Sequence, residues 1–364
     1  MERRDLVIVG GGPAGTATAI ALARRAPDLA ARTVLLDRAA FPRDKTCAGG
    51  LIPHTIEILR ELGVELTVPS VRVDQAVVDV AGERIEIDSP ACCWVIRRRD
   101  FDAMLLAAAR ARGVEVRESV KLLDARRDDG GIRLETSAGP LWTRAVVGAD
   151  GSGSLVRRSL VSRDEGWVAR ALMCDVPIAD GQAPARFEFD FRAVLDGLAG
   201  YVWSFPCLIA GRPHWNVGAY SLARRGEGER LARLVDERAA APDVPRKAHP
   251  IRLYRRGLPL SAPGVLLAGD AAGVDPLLGE GISFALQFGQ LAASSLVDGF
   301  ARNDLRFGAY DKAVARSAMG RKLRRLGFAA RLMYGPAGPL WFRLARLSRR
   351  AQITGMNWYN GVAH

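Results

Sequence analysis

Apolar positions along the chain first come in a short run, Leu6–Val9, followed by a glycine turn and an Ala-rich segment, Ala14–Arg25. Thr33–Asp37 is a second apolar run, so the first unit reads strand, helix, strand. Gly113–Glu118 and Ala145–Asp150 have the same character and are expected in the same sheet. Between them, Arg99–Arg112 carries Phe101, Leu105, Leu106 and Ala109 at helical spacing. Val71–Ile87 and Trp167–Tyr220 instead alternate, most clearly at Arg186–Phe191 and Tyr201–Phe205. This predicts an antiparallel sheet inserted into an α/β domain. Val265–Asp270 returns to the parallel pattern, Gly281–Leu296 is an apolar helix, and from about Arg321 basic residues alternate with Leu, Phe and Trp.

The 364 residues are of ordinary globular composition, long enough for two domains. The formal net charge of +12 comes mostly from Arg. A basic surface attracts phosphates, nucleic acid or anionic lipid. No nucleic-acid motif accompanies the charge, so no nucleic-acid partner is expected. Cys47, Cys92, Cys93, Cys174 and Cys207 form no CxxC pair and no metal-ligand spacing. Their odd number suggests free thiols in a reducing compartment. The chain opens directly into a strand, which leaves no room for a targeting segment. The longest apolar stretch, around Gly281–Val297, is broken by Gln287 and Gln290 and falls short of a membrane span. A cytoplasmic location is expected.

Gly10, Gly12 and Gly15 form GxGxxG between a strand and a helix, with Pro13 and Ala14 opening the helix. The first Gly makes the turn, the second admits a pyrophosphate to the backbone, and the third lets helix and strand pack closely. The helix N-terminus offers free N–H groups and partial positive charge to the phosphates. Asp37, beside Arg38, closes the second strand about 20 residues further on, where a carboxylate accepts from ribose hydroxyls. These residues predict a dinucleotide site without separating FAD from NAD.

Later segments separate the two. Gly148-Ala149-Asp150-Gly151-Ser152 and Leu267-Ala268-Gly269-Asp270-Ala271-Ala272 each close a strand. With them the chain resembles the flavoprotein class of the p-hydroxybenzoate hydroxylase fold. That resemblance implies that Gly269 and Asp270 contact the ribityl chain or pyrophosphate of FAD, that Asp150 supports the site, and that Arg98 lies beside the cofactor. Pro276, Gly279, Gly281 and Ile282 then lead into the apolar helix. A helix N-terminus aimed at the flavin pyrimidine would stabilise an anionic reduced flavin.

A narrower resemblance, over roughly residues 4 to 310, is to the geranylgeranyl reductase family. It rests on Phe41-Pro42-Arg43-Asp44-Lys45-Thr46-Cys47-Ala48-Gly49-Gly50, where the family shows Lys-Pro-Cys-Gly-Gly or a variant. It rests also on Tyr201-Val202-Trp203-Ser204-Phe205-Pro206 followed by Asn216-Val217-Gly218, which looks like the family's YxWxFP signature. Thr46 and Ala48 depart mildly from the pattern. Cys207 stands where the family often has a basic residue. The resemblance places Lys45, Cys47, Ala48 and Gly49 at the flavin.

Tyr201, Trp203 and Phe205 share one strand face, a flat apolar wall for a prenyl chain or another planar substrate, or a face packed on core. Cys47 is a redox or proton-relay thiol or a small loop residue, and Tyr201 is the leading candidate for a proton donor.

The expected fold is a mixed α/β one. It has a Rossmann-like FAD-binding domain (residues 1–70, 97–160 and 255–312), an inserted antiparallel substrate domain (71–96 and 161–254) and a helical C-terminal segment (313–364). The expected activity is reduction of carbon–carbon double bonds of an isoprenoid or polyene-like substrate by hydride from reduced flavin. The alternative is monooxygenation of an apolar or aromatic natural product. Halogenases of this fold have WxWxIP and need a Lys well after the first unit, whereas no Lys lies between Lys45 and Lys121. There is no second GxGxxG, so NAD(P)H binding transiently or a reduced carrier protein is the expected electron donor. Leu323, Leu326, Ala330 and Met333 recur at helical spacing among Arg321, Lys322, Arg324, Arg325 and Arg331, with Phe342, Leu344 and Leu347 beyond. This stripe suits either peripheral contact with anionic lipid or packing on the flavin domain.

Overall fold

The computed structural model describes residues 1–345 apart from residues 81, 165, 180, 223–225 and 242. Its first sheet is built on five parallel strands in the order Val265–Leu267, Gly139–Gly148, Glu2–Val9, Thr33–Leu36 and Glu115–Arg117. Leu6, Val7 and Ile8 are fully buried at its centre. Strands covered on both faces read as continuous apolar runs, which is why these segments stand out in the sequence. The helix Pro13–Arg25 packs against Ile282–Ala301 at close range. A Cβ on Gly289 would fall 2.6 Å from the Ala17 Cβ and 2.7 Å from the Ala14 carbonyl oxygen.

The antiparallel strands Leu122–Asp128 and Gly131–Thr136 extend this sheet from Gly139–Gly148, a meander the apolar pattern did not reveal. The helices Pro53–Glu61 and Gly228–Ala239 were likewise missed. The alternating region Val71–Ile87 covers most of a hairpin, Ser70–Val80 and Glu83–Ile96. Gly269 and Asp270 lie in a single 3-10 turn after the strand rather than closing it.

The second sheet has eight strands, in the order Lys247–Leu253, Trp167–Pro177, Arg212–Ser221, Gly200–Ile209, Arg186–Asp190, Ser70–Val80, Glu83–Ile96 and Gly50–Leu51. Its pairings are antiparallel except between Arg186–Asp190 and Ser70–Val80. The helix Gly228–Ala239 covers one face through Leu231 and Val235, which meet Val202, Val217 and Ala219. The other face, with Tyr201, Trp203 and Phe205, lines a cavity.

Three helices follow: Tyr310–Arg316, Ala318–Met333 and Gly338–Ala345. Ser317 caps the second, its hydroxyl accepting from the Gly320 N–H at 3.0 Å. Leu323, Leu326 and Ala330 are buried in the main core and Met333 packs against it. These four positions therefore pack on the protein. Leu347 lies outside the described residues. Among those residues no helix is long and apolar enough to cross a membrane.

Candidate active site

The loops that leave the C-terminal ends of the parallel strands converge, as open α/β sheets require for ligand binding. Gly10 turns with φ +109°, a value that only Gly adopts freely. Gly12 precedes the helix without a side-chain cap, and its first turn holds no acidic residue. Its N–H groups are left for a ligand. A Cβ on Gly12 would meet only the tips of Arg43 and Arg98, at 3.8 and 3.9 Å. Asp102 holds both cations there. It takes Arg98 in a bidentate pair at 2.6 and 2.8 Å, and Arg43 at 3.3 Å. Two guanidinium groups beside an open helix N-terminus suit a pyrophosphate. Asp37 accepts from the Gly11 N–H at 2.7 Å and the Ala39 N–H at 2.9 Å. Each carboxylate oxygen keeps a second acceptor site for a ribose hydroxyl.

Asp150 accepts from Leu155 and Val156 N–H through one oxygen, at 2.7 and 3.1 Å. Its other oxygen, Oδ1, is shielded from solvent and has no hydrogen-bond partner among the described residues. Burial pushes its carboxyl up from the ordinary value. An orphaned acceptor beside the cradle fits a ligand donor, and so FAD. Asp270 accepts from the Ser152 hydroxyl at 3.1 Å. Replacing Asp270 with Ala removes an ionised acceptor at this end of the site, worth about 1–3 kcal/mol. FAD should then dissociate roughly ten- to a hundredfold more readily, as measured by flavin fluorescence on dilution, while wild-type retention would exclude the contact.

The cradle opens into a continuous cavity of about 1150 Å³. Of the residues singled out in the sequence, Gly10, Gly12, Pro13, Ala14, Asp37, Arg38, Lys45, Cys47, Ala48, Gly49 and Arg98 line it. So do Asp150, Tyr201, Trp203, Phe205, Asp270, Gly279, Gly281 and Ile282. Gly15, Gly269 and Pro276 are not among the lining residues. A Cβ on Gly15 would sit 1.8 Å from the Gly10 carbonyl oxygen, and one on Gly269 would sit 2.7 Å from the Ala14 Cβ. The Pro276 carbonyl accepts from the Tyr220 hydroxyl at 3.4 Å.

Tyr201, Trp203 and Phe205 share one strand face, as alternation predicts. Val202 and Ser204 point the other way, to Leu231 and Arg238. The neighbouring strand adds Phe187, Phe189 and Phe191, with Phe189 paired opposite Trp203. Phe189 meets Tyr201 and Phe205 edge-on at ring distances of 5.3 and 5.5 Å. Phe342 stacks on Phe191 at 5.3 Å. The Trp203 indole lies across Gly218, where a Cβ would fall 2.1 Å from the ring. Its N–H donates to Asn216 Oδ1 at 2.9 Å.

Tyr201 is poorly suited as a proton donor. Its hydroxyl donates to the Leu278 carbonyl, and burial raises its pKa well above the ordinary phenol value. Cys47 is half-buried, its sulfur accepting from the Gly49 N–H at 3.4 Å. A pair that sequence reasoning missed stands nearby: Lys45 Nζ lies 2.8 Å from His249 Nε2. Burial, then the Lys45 charge, pulls His249 down to about 4, so its neutral imidazole accepts from the ammonium. Burial, then Arg98, also lowers the Lys45 pKa.

At the N-terminus of Ile282–Ala301 the Glu280 carboxyl accepts from the Ser283 N–H at 2.8 Å and from the Ser283 hydroxyl at 2.5 Å.

An open nucleotide cradle on a parallel sheet, joined to an apolar chamber under an antiparallel one, defines a flavin-dependent oxidoreductase. The chain belongs to the FAD binding domain family, whose pattern matches residues 3–184. It is 29% identical over 322 residues to a menaquinone reductase of Mycolicibacterium smegmatis, covering 82% of this chain and 77% of that protein. It is also 29% identical over 360 residues to a digeranylgeranylglycerophospholipid reductase of Methanothrix thermoacetophila, covering 89% and 85%. Its fold matches a crystal structure of a geranylgeranyl bacteriochlorophyll reductase-like protein from Thermoplasma acidophilum, with TM-score 0.77, 21% identity, and 98% and 96% of the two chains covered. It also matches the flavin-dependent halogenase CmlS, with TM-score 0.69, 21% identity, and 99% and 70% covered.

Proposed function

We propose that this protein reduces carbon–carbon double bonds of an apolar, isoprenoid or polyene-like molecule. The observation that carries this reading is the aromatic chamber, which is continuous with the nucleotide cradle and walled by two strands of aromatics on one sheet face. Apolar walls of this kind hold a long hydrocarbon by area alone and leave few polar groups to orient a hydrophilic ligand. The names of the two sequence relatives above, both reductases, support the same direction.

Gly10, Gly12, Asp37, Arg43, Arg98, Asp150 and Asp270 would hold FAD. When bound and reduced, FAD supplies a hydride to one carbon of the double bond. The neighbouring carbon needs a proton. The Lys45 ammonium, half-buried and lowered in pKa, is better suited to give it than the Tyr201 phenol, with Cys47 and water as the other sources. His249 holds the Lys45 proton in place between turnovers. Electrons arrive from transiently bound NAD(P)H or a reduced carrier protein. Photoreduced protein mixed with a long-chain polyene under anaerobic conditions should regain the oxidised flavin spectrum. A spectrum that stays reduced with every apolar alkene offered would overturn the reading.

A further inference from the structure

The helices Ala318–Met333 and Gly338–Ala345 carry an apolar surface that the core does not use. Phe328 is 72% exposed, Leu340 60% and Leu344 57%, with Leu332 and Trp341 also exposed beside them. Scattered exposed leucines are ordinary, but a cluster of this kind on two neighbouring helices marks an interaction site. In Ala318–Met333, Phe328 and Leu332 lie four residues apart and so share the outward face. By the same helical spacing Arg321, two turns before Phe328, lies on that face, Arg325 borders it on one side, and Arg324 and Arg331 border it on the other. None of these four arginines has a carboxylate partner among the described residues, and Arg343 on the last helix has none either. The inward faces of the same helices are fully engaged, Leu323 and Leu326 in the core and Phe342 on Phe191.

Two of the exposed residues, Leu332 and Trp341, also line the cavity. The apolar end of the chamber thus reaches the surface within the cluster. We propose that this arginine-flanked face docks on an anionic lipid bilayer, with the apolar end of the cavity turned toward the lipid. The chemistry fits a membrane better than a protein partner. Arg321 and Arg324 donate to the Arg316 and Ala315 carbonyls and Arg331 lies over Trp167, so their charge is not neutralised; apolar side chains beside such cations match a hydrocarbon layer beneath anionic headgroups, whereas a protein partner would have to bring a carboxylate to each arginine it desolvates. Passage of substrate from bilayer to cavity rests on the alkene-reductase reading; the docking itself does not.

Flotation of the full FAD-loaded chain with vesicles tests this. At low salt the protein should float with phosphatidylcholine vesicles that contain phosphatidylglycerol and stay largely unbound with phosphatidylcholine alone. Phe328→Ser with Leu340→Ser should lower the bound-to-free ratio by roughly tenfold or more. Arg321→Glu with Arg325→Glu, at exposed positions outside the core, should abolish the preference for phosphatidylglycerol. Flavin absorbance and melting temperature should be unchanged in both variants. The proposal is overturned if the wild type floats with neither vesicle, or if both variants float as the wild type does. It is also overturned if light scattering shows that Phe328→Ser breaks a dimer while no lipid is bound. Flotation reads no turnover, so its failure is separate from failure of alkene reduction.

Discussion

Replacing Trp203 with Ala is expected to raise the apparent KM for a long apolar substrate by about ten- to a hundredfold, while FAD stays bound. The indole forms the centre of the wall, between Tyr201 and Phe205 and opposite Phe189. Losing one buried aromatic contact is worth about 1.5–3 kcal/mol. Trp203 sits on the antiparallel sheet, and not in the loops that leave the parallel strands, so flavin retention should hardly change. Gly218→Ala is the companion test. Its new Cβ would fall 2.1 Å from the indole, so the ring must move although every wall residue is still present. KM should rise in this variant too. Release of FAD or unfolding on Trp203→Ala would show that the residue is core and not wall.

Gly15→Ala should be more damaging still. The added Cβ would lie 1.8 Å from the Gly10 carbonyl oxygen, backbone against backbone, with no flexible tip to give way. Overpacking of this kind costs about 1–3 kcal/mol or more, and it distorts the turn that aims the helix N-terminus. Both the melting temperature of the apoprotein and FAD affinity should fall. Gly12→Ala separates the two effects. Its Cβ has open space apart from two arginine tips, and its φ of −76° suits any residue. The apoprotein should melt as the wild type does, yet bind FAD much more weakly, because the methyl group bars the backbone from the pyrophosphate. A Gly15→Ala protein with wild-type melting and flavin content would contradict this description of the cradle.

The cradle was legible because its parts are local. Strand, glycine turn, helix and Asp37 lie within one unit, and each glycine has a steric reason visible in the spacing. The aromatic wall was legible by half. Alternation put Tyr201, Trp203 and Phe205 on one face, but it says nothing about which strand lies beside them. Phe187, Phe189 and Phe191 alternate just as clearly, and only the register Phe189 opposite Trp203 joins the two sets. Arg43 stood in the quoted motif, yet its role follows from Asp102, which reaches it through the fold. Lys45 also stood in the quoted motif, but its pairing with His249 carries no local signal; the hydrogen bond joins a loop to the strand Lys247–Leu253, far apart in sequence. The C-terminal stripe was seen, but period alone cannot tell a face turned to core from a face turned to lipid. Burial assigns Leu323, Leu326 and Ala330 to the core and leaves Phe328 and Leu332 outside.

Product analysis from a single turnover tests the proposed activity most directly. The protein would be photoreduced, freed of oxygen and mixed with a long-chain polyene, and the product examined by mass spectrometry beside a matched sample in air. Alkene reduction predicts a product heavier by a pair of hydrogens, formed without oxygen and in step with flavin oxidation. A product that forms only in air and carries a new hydroxyl oxygen would contradict the reductase assignment and make the protein a monooxygenase.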